Sequence, residues 1–405
     1  MRAPRTAPPV TSLPRASRLD AAEAPRPIWL WRGAGPALTP RGLVPLDIEG
    51  AAPAVMTPSG PGLRIERGTT NFVTNPSFEV DLAGWAAVAG ASISRETTGG
   101  GASGDAYARV AVSATGHGIR FAGTGNAAQG QPYAASMYLR AATTSDAGKT
   151  VQVYLDAPGS AYEIFATDHV LTDAWARVVL PAVWAQAGHL TWSIVARDAI
   201  GQGGFTFLAD AVQYETGSCS SYADGTMGSG FSWTGTAHGS VSVRQPSSIS
   251  TTVPGVRPDR GTLSLWCRPD WSSPAGGERV LLDCACGNVE LRLTADPSGT
   301  WRLTSRADFI EDFTEVAQSH QASDRVQLIA TWSPTDLMLC LGNAMERRAH
   351  TTPALGIDVA KISMGHSLAG EAHFAGVVGN LSLWGRQFRQ SEITAITRGG
   401  NVSFG

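Results

Sequence analysis

The chain has 405 residues, of which 16% are charged and 46 are glycine, with a formal net charge of −3. That length holds two or three domains with sizeable cores. The charge gives no electrostatic case for nucleic acid or an anionic membrane, and no apolar run reaches the length of a bilayer-spanning helix.

Residues 1–27 are rich in Pro, Ala and Arg and lack the apolar h-region of a Sec signal peptide, so synthesis and folding in the cytoplasm are expected. The apolar pieces Ile28–Trp31, Gly42–Ile48 and Leu63–Ile65 are broken by Gly and Pro and cannot form a core alone. Residues 1–68 are therefore read as an extended assembly arm. Its strands are expected to add to a neighbouring copy or to pack on the next domain.

From 69 to 217 short β-prone runs follow one another: Ala106–Ser113, Tyr133–Ala141, Thr150–Asp156, Ala176–Pro181, Leu190–Ala196 and Phe205–Tyr214. Turn-forming clusters separate them, which predicts a sandwich. Residues 218–260 begin with a Gly/Ser/Thr-rich stretch and read as a connector. From 261 to 405 come Thr262–Pro269, Val289–Thr294, Thr300–Ser305, Arg325–Trp332, Asp336–Leu341, Ala360–Gly365 and His373–Trp384. Asp296-Pro297-Ser298-Gly299 supplies a hairpin turn, and a short helix is predicted with Ser391 as its N-cap. Cys219, Cys267, Cys284, Cys286 and Cys340 match no zinc spacing and read as free thiols.

Three stretches carry family resemblances. Pro61–Glu79 (PGLRIERGTTNFVTNPSFE) resembles a junction of tail and fibre proteins of tailed bacteriophages, and Asn71–Trp85 resembles the opening of a jelly-roll carbohydrate-binding module. Tyr222, Asp224 and Gly225, followed by Ser232, Trp233, Thr234, Gly235, Thr236 and His238, resemble a bridge that follows such a jelly roll in phage minor tail proteins. Phe374, Gly376, Val378, Leu381, Leu383, Trp384, Phe388, Glu392 and Ile393 resemble the close of a laminin-G-like, concanavalin-type lectin domain, although Gly379-Asn380 stands where that family often has an acid.

The resemblance implies an all-β chain of two tandem sandwiches, a jelly roll and then a concanavalin-like domain, behind the arm. It implies a structural component of a phage or phage-like tail, located in the virion. The partners implied are other tail proteins, further copies of the chain in a trimer or ring, and host-surface glycans. The rival reading is a carbohydrate-binding protein of a polysaccharide-degrading system; the missing signal peptide favours the tail. The resemblance also implies a structural calcium between first and last strands, with Glu79 and Asp210 at the matching acidic positions. Asp210 capping a strand end is the alternative.

An aromatic platform beside polar side chains suits a sugar. Strand alternation turns Tyr138 and Arg140, and likewise Gln152 and Tyr154, away from the core, so these four are the candidate carbohydrate-binding residues. A subunit contact would use the same pattern. Trp192 reads as core, and Trp85 and Trp175 match structural positions of the family. No catalytic residue is expected. Gly365–Gly370 (GHSLAG) imitates a nucleophile elbow, but no Asp follows it and the only later histidine is His373. Asp308, Glu311, Asp312 and Glu315 do not alternate as paired glycanase carboxylates and read as a solvated loop.

Overall fold

The computed structural model describes residues 29–31, 37–39, 42–44, 47–49, 54–57 and 60–398, with breaks at 123–131, 157–164, 185–192, 272–276, 352–358, 368–373 and a few single or paired positions. The protein is nearly all β, in antiparallel sheets that stack as two sandwiches.

The first sandwich has two five-stranded sheets. One runs Ala176–Trp184, Pro132–Ala141, Phe205–Thr216, Tyr107–Val112, Ser92–Glu96; it is called here the Tyr138 sheet. The other runs Phe165–Val170, Thr150–Asp156, Ser193–Arg197, Gly118–Ala122, Trp85–Val88; it is called the Tyr154 sheet. Alternation does the sorting. Met137, Leu139, Val110 and Phe207 from the first meet Val151, Val153, Ile119 and Ile194 from the second in one buried core.

The second sandwich also has two layers, but they draw on both ends of the chain. One sheet contains Ala344–Ala349, Asp336–Leu341, Val326–Trp332, Gly261–Pro269 and Gly376–Trp384. The free side of Gly376–Trp384 is covered by the arm: Trp29–Trp31 pairs with Leu381–Leu383, and Leu63–Ile65 with Gly376–Val378. Ala37–Thr39, Gly42–Val44 and Ala54–Thr57 extend this coverage. The facing sheet runs Ile310–Ala317, Thr300–Ala307, Val289–Ala295, Arg279–Cys286, Val359–Met364, Ser248–Pro254, Asp47–Glu49.

Two segments thus differ from the sequence reading. The expected assembly arm adds its strands to this chain's own second sandwich, because Gly376–Trp384 would otherwise present a bare row of amides and carbonyls. Ile65 is fully buried in the second core, beside Leu263, Ile362 and Phe374. The expected connector holds Ser248–Pro254, an inner strand between Val359–Met364 and Asp47–Glu49. The chain therefore enters the second sandwich, departs for the first, and returns.

The crossing point is a polar knot around a three-stranded sheet of Phe231–Trp233, Ser242–Arg244 and Thr69–Asn71. Arg244, 1% exposed, pairs with the buried Glu66 and donates to the Arg67 carbonyl at 2.9 Å. Burial lowers the Arg244 pKa from its usual range, against the opposing pull of Glu66. Thr69 donates to Glu215 at 2.5 Å, and Arg67 donates to the Thr216 carbonyl. Asn71 bonds the Val212 carbonyl and receives the Tyr214 amide. The bridge motif closes the knot: Tyr222 and Ser77 both donate to Asp224, and Trp233 lies on Gly225 and 5.0 Å from the His238 ring.

Ile310–Ala317 is an edge strand, not the solvated loop expected from its acids. Cross-strand register supplies the reason: Glu311 faces Arg306, and Glu315 faces Arg302 and pairs with it. Helix Gln390–Arg398 starts one residue before the expected cap, with the Glu392 carboxylate taking the Arg389 amide at 2.8 Å.

Candidate functional site

Tyr138 and Arg140 lie on the outer face of the Tyr138 sheet, while Gln152 and Tyr154 lie on the outer face of the Tyr154 sheet. The four have the parity expected of them but sit on opposite sides of the sandwich, because their strands belong to different layers. On the Tyr154 side, Arg197 stacks 4.6 Å over Tyr154 and donates to Gln152, which donates to Asp168. Those groups satisfy one another.

The Tyr138 side is built differently. Register places Arg140 and Arg109 both opposite Leu208, and Arg177 opposite Tyr138. Arg140 stacks 4.9 Å from the half-exposed Trp175, whose edge meets Tyr107 at 5.9 Å. Trp175 Nε1 reaches the Gly100 carbonyl at 3.4 Å, so the 100–106 loop braces this indole. Leu208 forms a buried apolar floor at 3% exposure. Arg177 is spent on structure, donating to Ser136 Oγ and the Ser220 carbonyl. Trp85, by contrast, is core: it packs on Phe78 and Phe121 and donates to the Asn75 carbonyl. Trp192 lies outside the described residues.

The same loop joins Glu79 to Asp210. Glu79 Oε1 accepts the Asp105 and Ala106 amides at 2.9 and 3.0 Å, and Asp210 Oδ2 accepts the Ser103 amide at 2.9 Å. Asp210 is fully buried; burial, with the nearby Glu79 charge adding to it, pushes its carboxyl up to about 8. Around the point where a Gly101 side chain would begin, Asp210 Oδ2 and the Ala106 carbonyl lie at 2.6 Å and the Ser103 carbonyl at 3.1 Å. A Cβ on Gly104, which has φ +77°, would strike Glu79 Oε1. Hard oxygens converging on a gap that only glycine leaves open suit a cation such as calcium. Among the described residues no three His, Cys, Asp or Glu side chains form a metal cluster, so carbonyls would complete the shell.

The remaining candidates make contacts within the fold. His366 bonds Ser363 and the Ser367 carbonyl, and Ser367 is buried. Asp312 takes the Thr351 amide and hydroxyl, and Phe313 lies between the Arg302 and Arg348 guanidinia. Asp308 and His373 lie outside the described residues. Cys219, Cys267 and Cys340 are free thiols. The second core holds a cavity of about 20 Å³ lined by Leu263, Cys284, Leu303 and Trp332, too small for a sugar.

The fold and this face define an all-β, two-sandwich protein with an aromatic and arginine-lined outer sheet. No family model matches the chain, and no curated protein matches it. Among solved structures, the receptor-binding domain of botulinum neurotoxin D aligns at 8% identity and a TM-score of 0.30, over 38% of this chain and 41% of that one. A heptameric SAP-like pentraxin from Limulus polyphemus aligns at 11% identity and a TM-score of 0.31, over 37% of this chain and 75% of that one. The chain spans about two fifths of the length of the neurotoxin domain it matches.

Proposed function

We propose that the protein is a non-enzymatic structural component of a phage or phage-like tail that touches host-surface glycans through the outer face of its Tyr138 sheet. The observation that carries the glycan reading is the Trp175 indole, half-exposed and held by Arg140, Tyr107 and the Gly100 carbonyl above a Leu208 floor. A braced aromatic surface ringed by hydrogen-bond donors is what sugar hydroxyls and ring carbons require. A calcium ion held by Glu79, Asp210 and the loop carbonyls would neutralise two neighbouring carboxylates and fix the loop on which Trp175 leans. The tail assignment rests on the Pro61–Glu79 junction, the bridge motif from Tyr222 to His238, and the lectin-like close at 374–393. Rings or trimers of the chain within a virion are the natural setting.

Two measurements test this reading. The full chain should be retained by a saccharide array, and Trp175→Ala should abolish retention while the circular dichroism spectrum is unchanged. Immunogold electron microscopy with antibody against this chain should label particle tails. Unaltered retention by Trp175→Ala would remove the site, and label absent from particles would remove the tail role.

A further inference from the structure

We infer that the saccharide bound on the Tyr138 sheet is an acidic one, its carboxylate held by Arg109 and Arg140 on either side of Leu208. This rests on the glycan-binding reading above and adds the class of ligand. Arg109 and Arg140 both register with Leu208, on the strands flanking Phe205–Thr216. Two strand spacings separate them, roughly 10 Å, and the side chains leave the same face. Several other arginines of the described residues are in ion pairs, including Arg64, Arg244, Arg292, Arg302, Arg347 and Arg386. Among the described residues Arg109 and Arg140 have no carboxylate or hydrogen-bond acceptor.

Arg109 is exposed, and Arg140 Nε is shielded from solvent yet bonded to nothing. The carboxylates of this face are already engaged. Asp210 takes loop and backbone amides, and Glu96 takes the Ser94 hydroxyl. The strip is therefore a pair of unspent cations over an apolar floor. A guanidinium matches a carboxylate with two parallel hydrogen bonds, a geometry that neutral hydroxyls do not reproduce. Trp175 fixes Arg140 in place by stacking, so less freedom is lost when the anion arrives.

The test is equilibrium binding of the full chain to oligogalacturonates and sialyl-oligosaccharides, each beside its methyl ester, at rising salt. The acids are expected to bind at least about tenfold more tightly than their esters, with affinity falling as salt rises. Arg109→Gln and Arg140→Gln should each weaken acid binding by about tenfold, the value of one charge-assisted contact. Arg120→Gln, an exposed position on the opposite sheet, should change nothing. Esters that bind as tightly as acids, or arginine variants of wild-type affinity, would overturn acid recognition while leaving glycan binding standing. Failure of every acid and every ester to bind would overturn it together with the glycan reading.

Discussion

Replacing Arg244 by alanine should destabilise the protein by about 3–5 kcal/mol, the cost of stranding a buried charge. Glu66 is only 3% exposed, and without Arg244 its carboxylate still accepts the Ser221 amide at 2.8 Å but loses its cation. Arg67 also loses the donor to its carbonyl. At roughly 2–4 °C per kcal/mol for a unit of this size, the melting midpoint should fall by about 6–20 °C. The loss belongs to leaving one charge alone, not to the pair's net worth. Glu66→Gln combined with Arg244→Met should therefore recover most of it. Calorimetry of the wild type, Arg244→Ala, Glu66→Gln, Arg244→Met and the double variant measures both the loss and the cycle. Arg244→Ala within about 1 kcal/mol of wild type, or a double variant as unstable as the summed singles, would refute the reasoning.

Ile65→Ala should cost about 2–5 kcal/mol in urea unfolding, because the side chain is fully buried in the second core; an effect below 1 kcal/mol would show that the arm does not belong there. Asp210, raised to about 8 from 3.8, keeps its proton when folded while the unfolded chain releases it. Stability should therefore fall as pH rises from about 4 to about 8 and level off above, and Asp210→Asn should flatten that slope in pH-dependent melts. Added calcium at pH 8 should raise the wild-type midpoint but not that of Asp210→Asn; equal shifts in both would place any bound ion elsewhere. Gly104→Ala should destabilise by about 1–3 kcal/mol, since its φ of +77° and the adjacent Glu79 oxygen leave no room for a methyl group; a neutral result in thermal melts would contradict the loop geometry.

The strands with clean alternation were legible in sequence. Thr150–Asp156 and Asp336–Leu341 match the expected bounds, and Pro132–Ala141 differs by one residue. Several edge strands were not legible, although the apolar edge strand at Ala176–Trp184 was. Ser92–Glu96 and Ala344–Ala349 face water on much of their surface and carry charges, so no apolar period marks them. Ile310–Ala317 was hidden by acids that pair with arginines across the strand gap. At the site, parity gave the outward direction of Tyr138 and Tyr154 but not that their strands lie in different sheets. Trp175 sits just outside its strand, and only folding brings it to Arg140, Tyr107 and Gly100. The association of Glu79 with Asp210 came from the family resemblance, since no local pattern could join residues 131 positions apart in the sequence, and the 100–106 loop that links them was not read at all.

The order in which the chain visits its two sandwiches has a mechanical consequence. Trp29–Trp31 lies against Leu381–Leu383 in one sheet, whereas the first sandwich leaves and rejoins the chain at the Arg67–Thr216 and Thr69–Glu215 contacts. A pull applied between residue 29 and residue 384 loads the second sandwich and passes the first one by. The first sandwich hangs beside the line of tension like a pennant on a stay. The geometry of its outer sheets is set by its own fold while the rest of the molecule takes the strain.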